Sequence, residues 1–520
     1  MIPLALWPFK LNALPEAHRA PASGTLRLLV LSLVIALLVG QDEVLAATDA
    51  ERIAALEQRI AELESKLNAV LAAAPVVTTP PDQTDDGHVD VLEQALRVVQ
   101  RKLEIKEEET LAALPNTPVV TASEKGFALA SRDGKFNLRL RGLVHADTRD
   151  YLDDETLPGN VDGFLLRRVR PSIEGTIAGI YDFRINPDFV GSRTVLHDAY
   201  VDARFYNGFK VRVGKFKTPF GIERLQSASD LRFVERGLPN NLVPNRDLGI
   251  QLHGDVLGGT LNYAVGLFNG VLDGGSSEAS NDAENNTDKD LAARLFAQPF
   301  FNSDNFYLRG LGLGVSATYV DQRADAAAPL LPAYRTPGQL SAFNYRTGAT
   351  GTFADGERLR WSPQLQYYAG RWGVLAEFVN VDQDVSRIVA GTRRYDRLRH
   401  DAWQVAFNYV LTGEDASYKE IKPKAPWAPD SEGWGAWELV ARVGELDIDD
   451  ASFIGGNASF ADPNIAISNE RAWSVGVNWY LNRNIKWSFD YENTDFEGGA
   501  SAGQDRADEK IAFSRVQLVF

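Results

Sequence analysis

The sequence predicts an all-β fold, a 16-stranded antiparallel transmembrane β-barrel, behind a short N-terminal helical and coiled-coil extension. Three observations carry this reading. About sixteen segments of alternating apolar and polar residues begin near positions 136, 164, 181, 195, 209, 247, 260, 288, 309, 358, 372, 400, 434, 470, 484 and 509. Most run for about ten residues, the length a tilted strand needs to cross a bilayer. Their connections tend to alternate short and long, as in barrels with tight turns on one side and loops on the other.

The extension comes first in the chain. Arg19 and Arg27 accompany an apolar run from Leu26 to Val39, and Val44-Leu45-Ala46 offers small-residue cleavage chemistry, so residues 1–46 read as a signal peptide. The competing reading is a membrane anchor. Residues 47–74 carry Ile53, Leu56, Ile60, Leu63, Leu67 and Val70 at alternating spacings of three and four, the seam of a short coiled coil. A solvated amphipathic helix is the alternative. Residues 75–88 read as a linker, 89–114 as a second helix through Leu92, Leu96, Val99 and Leu103, and 115–134 as a second linker. The barrel is assigned to 135–520.

Within the barrel, short turn-forming pairs include Gly179-Ile180, Asn207-Gly208, Gly258-Gly259, Gly370-Arg371 and Asn482-Arg483. The long polar connections are 147–163, 271–287, 321–357, 383–399, 447–469 and 496–508. Two connections break the alternation: 191–194 is short where a loop is due, and 412–433 is long where a turn is due. Trp403, Tyr409, Trp437, Trp473, Trp479, Trp487 and Tyr491 fall on apolar faces near strand ends, where interfacial girdles form. The ending Arg515-Val516-Gln517-Leu518-Val519-Phe520 is an alternating strand with a terminal aromatic, typical of chains assembled into the bacterial outer membrane. An Arg or Lys on the lipid face at mid-membrane costs about 2–4 kcal/mol. Arg139, Arg141, Arg168, Arg170, Arg184, Arg204 and Arg212 therefore face the lumen, with Glu174, Asp182, Asp198, Asp202 and Asp255.

Composition removes other classes. With 54 Lys and Arg against 70 Asp and Glu, the net charge of −16 argues against a nucleic-acid partner. Cys is absent, so there is no disulfide framework, thiol nucleophile or Cys-based metal site. The six His (18, 88, 145, 197, 253 and 400) form no i,i+4 metal pair, and no Gly-x-Ser-x-Gly elbow occurs. The expectation is no enzyme, no metal and no cofactor. A barrel hydrolase using His145, His197 and His253 is the enzyme alternative; polar lumen lining is the favoured reading.

The connection from Thr218 to Arg246 differs from the other long ones. It holds Arg224, Arg232, Arg236 and Arg246 among Glu223, Asp230 and Glu235, and it is threaded with Phe220, Ile222, Leu225, Leu231, Phe233, Val234 and Leu238. A solvated loop needs no such apolar content. The expectation is a loop folded into the barrel as a constriction; the alternative is packing over the mouth or against a neighbouring subunit.

The blocks FLLRRVRPSIEGTIAGIYDFRINPDF (164–189), LHDAYVDARF (196–205), VRVGKFKTPFGIERLQSASDLRFVERGLP (211–239) and NRDLGIQLHG (245–254) resemble the phosphate-selective porin O/P family. YAVGLFNG (263–270), GWGAWELVARVGELDI (433–448), VGVNWYLNRNIKWSFDY (475–491) and RVQLVF (515–520) resemble its later blocks in the same order. The resemblance covers nearly all of 135–520. It implies a homotrimeric outer-membrane channel for small anions, phosphate or polyphosphate, narrowed by an inward third loop. It also implies a ladder of basic groups, since guanidinium replaces phosphate hydration with charge-assisted bonds. Candidate rungs are Arg167, Arg168 and Arg170, then Lys215 and Lys217, then Arg224, Arg232, Arg236 and Arg246. Asp198 matches a family acidic position that tempers anion binding. The alternative is a general porin whose N-terminal helices tether it in the periplasm, in contact with peptidoglycan.

Overall fold

The computed structural model describes residues 118–152, 161–191, 194–276 and 288–520, with scattered residues between 94 and 108. The expected signal peptide, coiled coil and first linker lie outside the described residues. Of the second expected helix, every described residue between Gln94 and Glu108 is helical.

A hairpin of β1 (Val119–Ser123) and β2 (Gly126–Ala130) precedes the barrel. The barrel wall begins with β3 (Asn137–Tyr151), β4 (Gly163–Ile177), β5 (Tyr181–Asp188), β6 (Val195–Tyr206) and β7 (Phe209–Lys217). It continues through β8 (Arg246–Val256), β9 (Leu261–Phe268), β10 (Asp290–Ala297) and β11 (Leu311–Arg323). A small hairpin, β12 (Ala333–Arg335) and β13 (Ser341–Asn344), sits in the next connection. The wall resumes with β14 (Thr352–Ala369), β15 (Trp372–Val389), β16 (Thr392–Val410) and β17 (Ala436–Asp447), then β18 (Ile467–Tyr480), β19 (Ile485–Gly498) and β20 (Glu509–Val519). Every neighbour pair is antiparallel, and β20 closes the ring on β3 from Ile511↔Tyr151 to Val519↔Leu143. These are the sixteen strands the alternation predicts.

The wall is inside-out relative to a soluble protein. Leu138, Leu140, Ile173, Val213, Leu439, Val443 and Val475 are exposed, whereas Arg168, Gln404, Glu438, Arg442, Glu492 and Arg515 are buried. That inversion is what a hydrocarbon exterior and polar lumen require. Trp437, Trp479 and Trp487 from β17, β18 and β19 stack in a row, with ring centroids 5.1 and 6.4 Å apart. The row lies at the end where short turns and the chain terminus gather, the periplasmic side of a bacterial barrel.

The structure corrects the sequence reading in two places. Residues 383–399 are not a loop: β15 and β16 continue through them and turn at Ala390-Gly391, both with positive φ (50° and 79°). Its polar residues pair across strands, as Arg397 does with Asp384 at 2.6 Å, and Arg393 with Asp355. At 18 and 19 residues these strands outrun the hydrocarbon layer, so charge here marks wall above the membrane. The second correction is in 115–134, expected as a linker, where β1 and β2 form and pair with β3.

Three external connections share one apolar core: Phe220, Leu242 and Val243 from 218–245, Tyr334, Phe343 and Tyr345 from 324–351, and Phe460 from 448–466. They pack on Val379, Val385 and Leu398 of the tall wall. Substituting Val443→Arg, near the middle of the outward face of β17, is expected to destabilise the barrel by about 2–4 kcal/mol, read by reversible denaturant unfolding in lipid. Thr392→Arg, exposed at the external tip of β16, should stay within about 0.5 kcal/mol.

Candidate functional site

The connection 218–245, here called L3, turns inward and crosses the lumen. A buried backbone must find partners for its carbonyls and amides, and the far wall supplies them. Lys486 of β19 donates to the carbonyls of Ser229 (3.2 Å) and Leu231 (2.8 Å). Asn478 of β18 donates to Arg232 O at 2.9 Å, Arg515 of β20 to Val234 O at 2.6 Å, and Arg442 of β17 to Glu235 O at 3.1 Å. Leu231, Phe233 and Val234 are buried along this line, and the Arg442 guanidinium lies 4.3 Å over the Phe233 ring. The apolar residues that set this loop apart in the sequence are its packing face.

The charges of L3 are mostly engaged in holding it. The Glu235 carboxylate accepts from Arg167 (2.6 and 3.1 Å) and Arg149 (2.9 Å). Burial pushes this carboxyl up, but the Arg167 charge and hydrogen bonds outweigh it and hold Glu235 well below the usual carboxylate range. A depressed carboxyl stabilises the fold above its unfolded value, so this tie is complete at neutral pH and is lost only as pH falls through the depressed value. Arg232 donates to Glu438 Oε1 at 3.1 Å and to the Ser417 carbonyl. Arg224 donates to Asn240 O at 2.7 Å, and Arg236 to Gln226 O at 3.2 Å. Burial lowers Arg224 to about 9 and Arg236 to about 10, helped in each case by the nearby Arg246 charge, and both remain charged at neutral pH.

A second segment reaches L3 from the opposite side. The connection 411–435, here called T6, follows β16 on the periplasmic side and folds up into the lumen. Its Tyr418 hydroxyl donates to Ile222 O at 2.6 Å, Gln226 donates back to Tyr418 O at 2.8 Å, and Glu420 N donates to Asp230 Oδ1 at 3.2 Å. This explains the long turn that breaks the alternation.

Between L3, T6 and the wall β3–β10 lies a cavity of about 690 Å³, running to the periplasmic end at Arg483 and Phe520. Eleven Lys and Arg line it against four Asp and Glu. On its wall Arg170 pairs with Asp188 at 2.6 Å and touches His197 Nε2 at 3.0 Å, Arg246 pairs with Asp198 at 2.9 Å, and Asp202 takes both Arg212 and His253. Arg184, Lys217, Arg294, Lys419 and Lys422 also reach the cavity, and none is in salt-bridge contact with a carboxylate among the described residues. The arrangement is a basic cavity in which arginines matched to aspartates stand beside bases with no carboxylate partner among the described residues.

A family model described as phosphate-selective porin O and P matches residues 136–520. The chain belongs to the phosphate-selective porin O and P family. It is an outer-membrane porin for anions. Porin O of Pseudomonas aeruginosa is 24% identical over 418 residues, spanning 77% of this chain and 92% of that protein. Among solved structures, the outer membrane channel DcaP of Acinetobacter baumannii is similar over 76% of this chain and 99% of its own (TM-score 0.46, 13% identity). An anion-selective porin from Comamonas acidovorans is similar over 74% and 100% (TM-score 0.45, 11% identity).

In this porin the structure divides the sequence-predicted site residues. Arg170, Lys217, Arg246 and Asp198 line the cavity together. Arg167, Arg224, Arg232 and Arg236 are taken up in anchoring L3. Arg168 is buried against His145 Nδ1 at 2.9 Å, and Lys215 is buried on β7. Of the wider inward set, Arg141, Arg184 and Arg212 also reach the cavity. Sequence reasoning missed Lys125, Arg294, Lys419, Lys422 and Arg483. Arg294 carries a signal, since it lies between the exposed Ala293 and Leu295, whereas the T6 lysines stand in a segment whose inward path has no local mark. Arg515→Met removes the Val234 carbonyl contact and leaves Asp147, which Arg515 grips at 2.6 and 2.7 Å, buried without its partner. The expected result is a loss of about 3–5 kcal/mol in stability with larger open-channel current noise, measured by denaturant unfolding and single-channel recording.

Proposed function

We propose that this porin passes phosphate and polyphosphate inward by steps between the wall arginines, Lys217 and the T6 lysines, with L3 as the rigid roof of the path. The observation that carries this is the sign of the lining. The chain as a whole is at −16, yet eleven Lys and Arg line the cavity against four Asp and Glu, and the Asp188 and Asp202 carboxylates behind Arg170 and Arg212 still leave the wall positive. A pore needs sites favourable enough to enter and weak enough to leave. Arg170, Arg212 and Arg246, each already matched to an aspartate, supply moderated sites, and the five bases with no carboxylate in salt-bridge contact among the described residues supply the gradient past them. In this reading Asp198 sets affinity through Arg246.

A second reading, a general anion porin without phosphate specificity, draws on those same aspartates, which compete with any bound phosphate. Homotrimer assembly, outer-membrane lipid around the wall, and a periplasmic extension contacting peptidoglycan belong to the proposal as well. Planar-bilayer current in chloride, with phosphate titrated in, separates the readings. Phosphate is expected to block the current, and Arg246→Ala to weaken that block by about ten- to hundredfold, the loss of one charge-assisted bond. Arg232→Ala should leave the block within about twofold and instead lower stability, because its partner Glu438 is buried. No block at any phosphate concentration would leave the general reading.

The T6 carboxylate adds a pH dependence. Glu420 is half-buried beside Asp230 of L3, Gln517 of β20, Lys486 of β19 and Glu438 of β17, and desolvation pushes its carboxyl up to about 7 against the pull of Lys486. Below that value it is neutral and the lining gains positive charge; above it the carboxylate appears. Chloride conductance is therefore expected to fall as pH rises from about 6 to 8, and Glu420→Gln should flatten that profile.

A further inference from the structure

The last strand does not cover the first. β20 pairs with β3 only as far as Val519↔Leu143, and Phe520 closes the ladder with paired bonds to Gly142 (N to O, 3.0 and 3.1 Å). β3 begins at Asn137, so its periplasmic end would present an open edge, and open edges recruit other strands. That edge is occupied by β2, whose Phe127, Ala128, Leu129 and Ala130 pair with Leu140, Arg139, Leu138 and Asn137. β2 therefore continues the line of β20 from a separate part of the chain.

The junction is closely fitted. The Phe520 ring lies on Gly142, where a Cβ would meet it at 2.4 Å, and the Phe127 ring meets it edge-on at 6.5 Å. Gly126, at φ +92°, has no room for a side chain: a Cβ would lie 2.4 Å from Leu140 O and 3.2 Å from the Phe520 carbonyl carbon. The hairpin turn is fixed independently, with Glu124 paired to Arg483 at 2.7 Å and the Glu124 carbonyl accepting from Asn484 Nδ2 at 2.9 Å. Asn484 Nδ2 also donates to Val519 O at 2.7 Å, so one side chain ties hairpin turn, β18–β19 turn and chain end together.

We propose that the β1–β2 hairpin is a seam lock. It takes over the pairing of the first strand where the last strand ends and encloses the C-terminal Phe520, so that barrel closure is completed by a segment N-terminal to the barrel. Opening the hairpin exposes the chain end, and holding it shut protects that end.

The test uses the refolded full-length porin and carboxypeptidase Y as the probe of the C-terminus. Since the chain has no Cys, the pair Leu129→Cys and Leu138→Cys, directly opposed in register, gives one defined cross-link. The expected results are that the cross-link forms in the folded barrel, that the oxidised protein resists trimming at temperatures where the reduced form is cut, and that Gly126→Val is trimmed about tenfold faster than the parent through more frequent local opening. Val120→Asp, on the far strand of the hairpin, should behave as the parent. If Gly126→Val does not refold, oxidised and reduced forms of the cysteine pair decide alone. Failure of the pair to oxidise, or equal trimming of oxidised and reduced protein, overturns the proposal.

Discussion

The structure depends on one requirement: a loop brought into a barrel carries a backbone that must be hydrogen-bonded away from bulk water. L3 meets it by lying along the inner face of β17–β20, where Arg442, Asn478, Lys486 and Arg515 each take a loop carbonyl. Two of these side chains also carry a carboxylate, Arg442 with Glu492 and Arg515 with Asp147. The loop and the wall are thus one polar network, and loosening any member leaves buried charge uncompensated.

That anchoring divides the lumen. The side under β17–β20 is filled by L3 and T6, and the external loops close over it with an apolar core. The side along β4–β10 stays open, and Arg170, Arg184, Arg212, Arg246 and Arg294 face the space that remains. Charge follows the same division. Arginines on the filled side point at backbone carbonyls and carboxylates and hold structure. Of the open-side arginines at the cavity, Arg170, Arg212 and Arg246 each meet one aspartate, while Arg184 and Arg294 meet no carboxylate in salt-bridge range among the described residues; such groups keep hydrogen-bonding capacity that a solute anion could use. Which side of L3 an arginine stands on therefore decides whether it anchors the loop or lines the cavity.

The wall was legible in the sequence because period-two alternation and lipid exclusion of charge act on each strand separately. The placement of Arg141, Arg170, Arg184 and Arg212 inward follows from residues in their own strands. L3 was legible as an inward loop because Phe220, Ile222 and Phe233 have no reason to sit in solvent. Its arginines were not legible as anchors, because Arg232 meets Glu438 across 206 positions of sequence, a pairing set by loop path and barrel shear. The 383–399 segment misled for a related reason: cross-strand ion pairs above the membrane look in sequence like a polar loop. Arg483 meets Glu124 across 359 positions, so the role of residues 115–134 was equally hidden.

The proposed anion route runs along the open wall and not along the L3 arginines. Diffraction from crystals of the porin grown with arsenate, a phosphate analogue that scatters anomalously, locates the anion directly. Peaks are expected in the cavity against Arg170, Lys217 and Arg246 or against Lys419 and Lys422. Peaks seated on Arg224, Arg232 and Arg236, with their loop contacts broken, would contradict it.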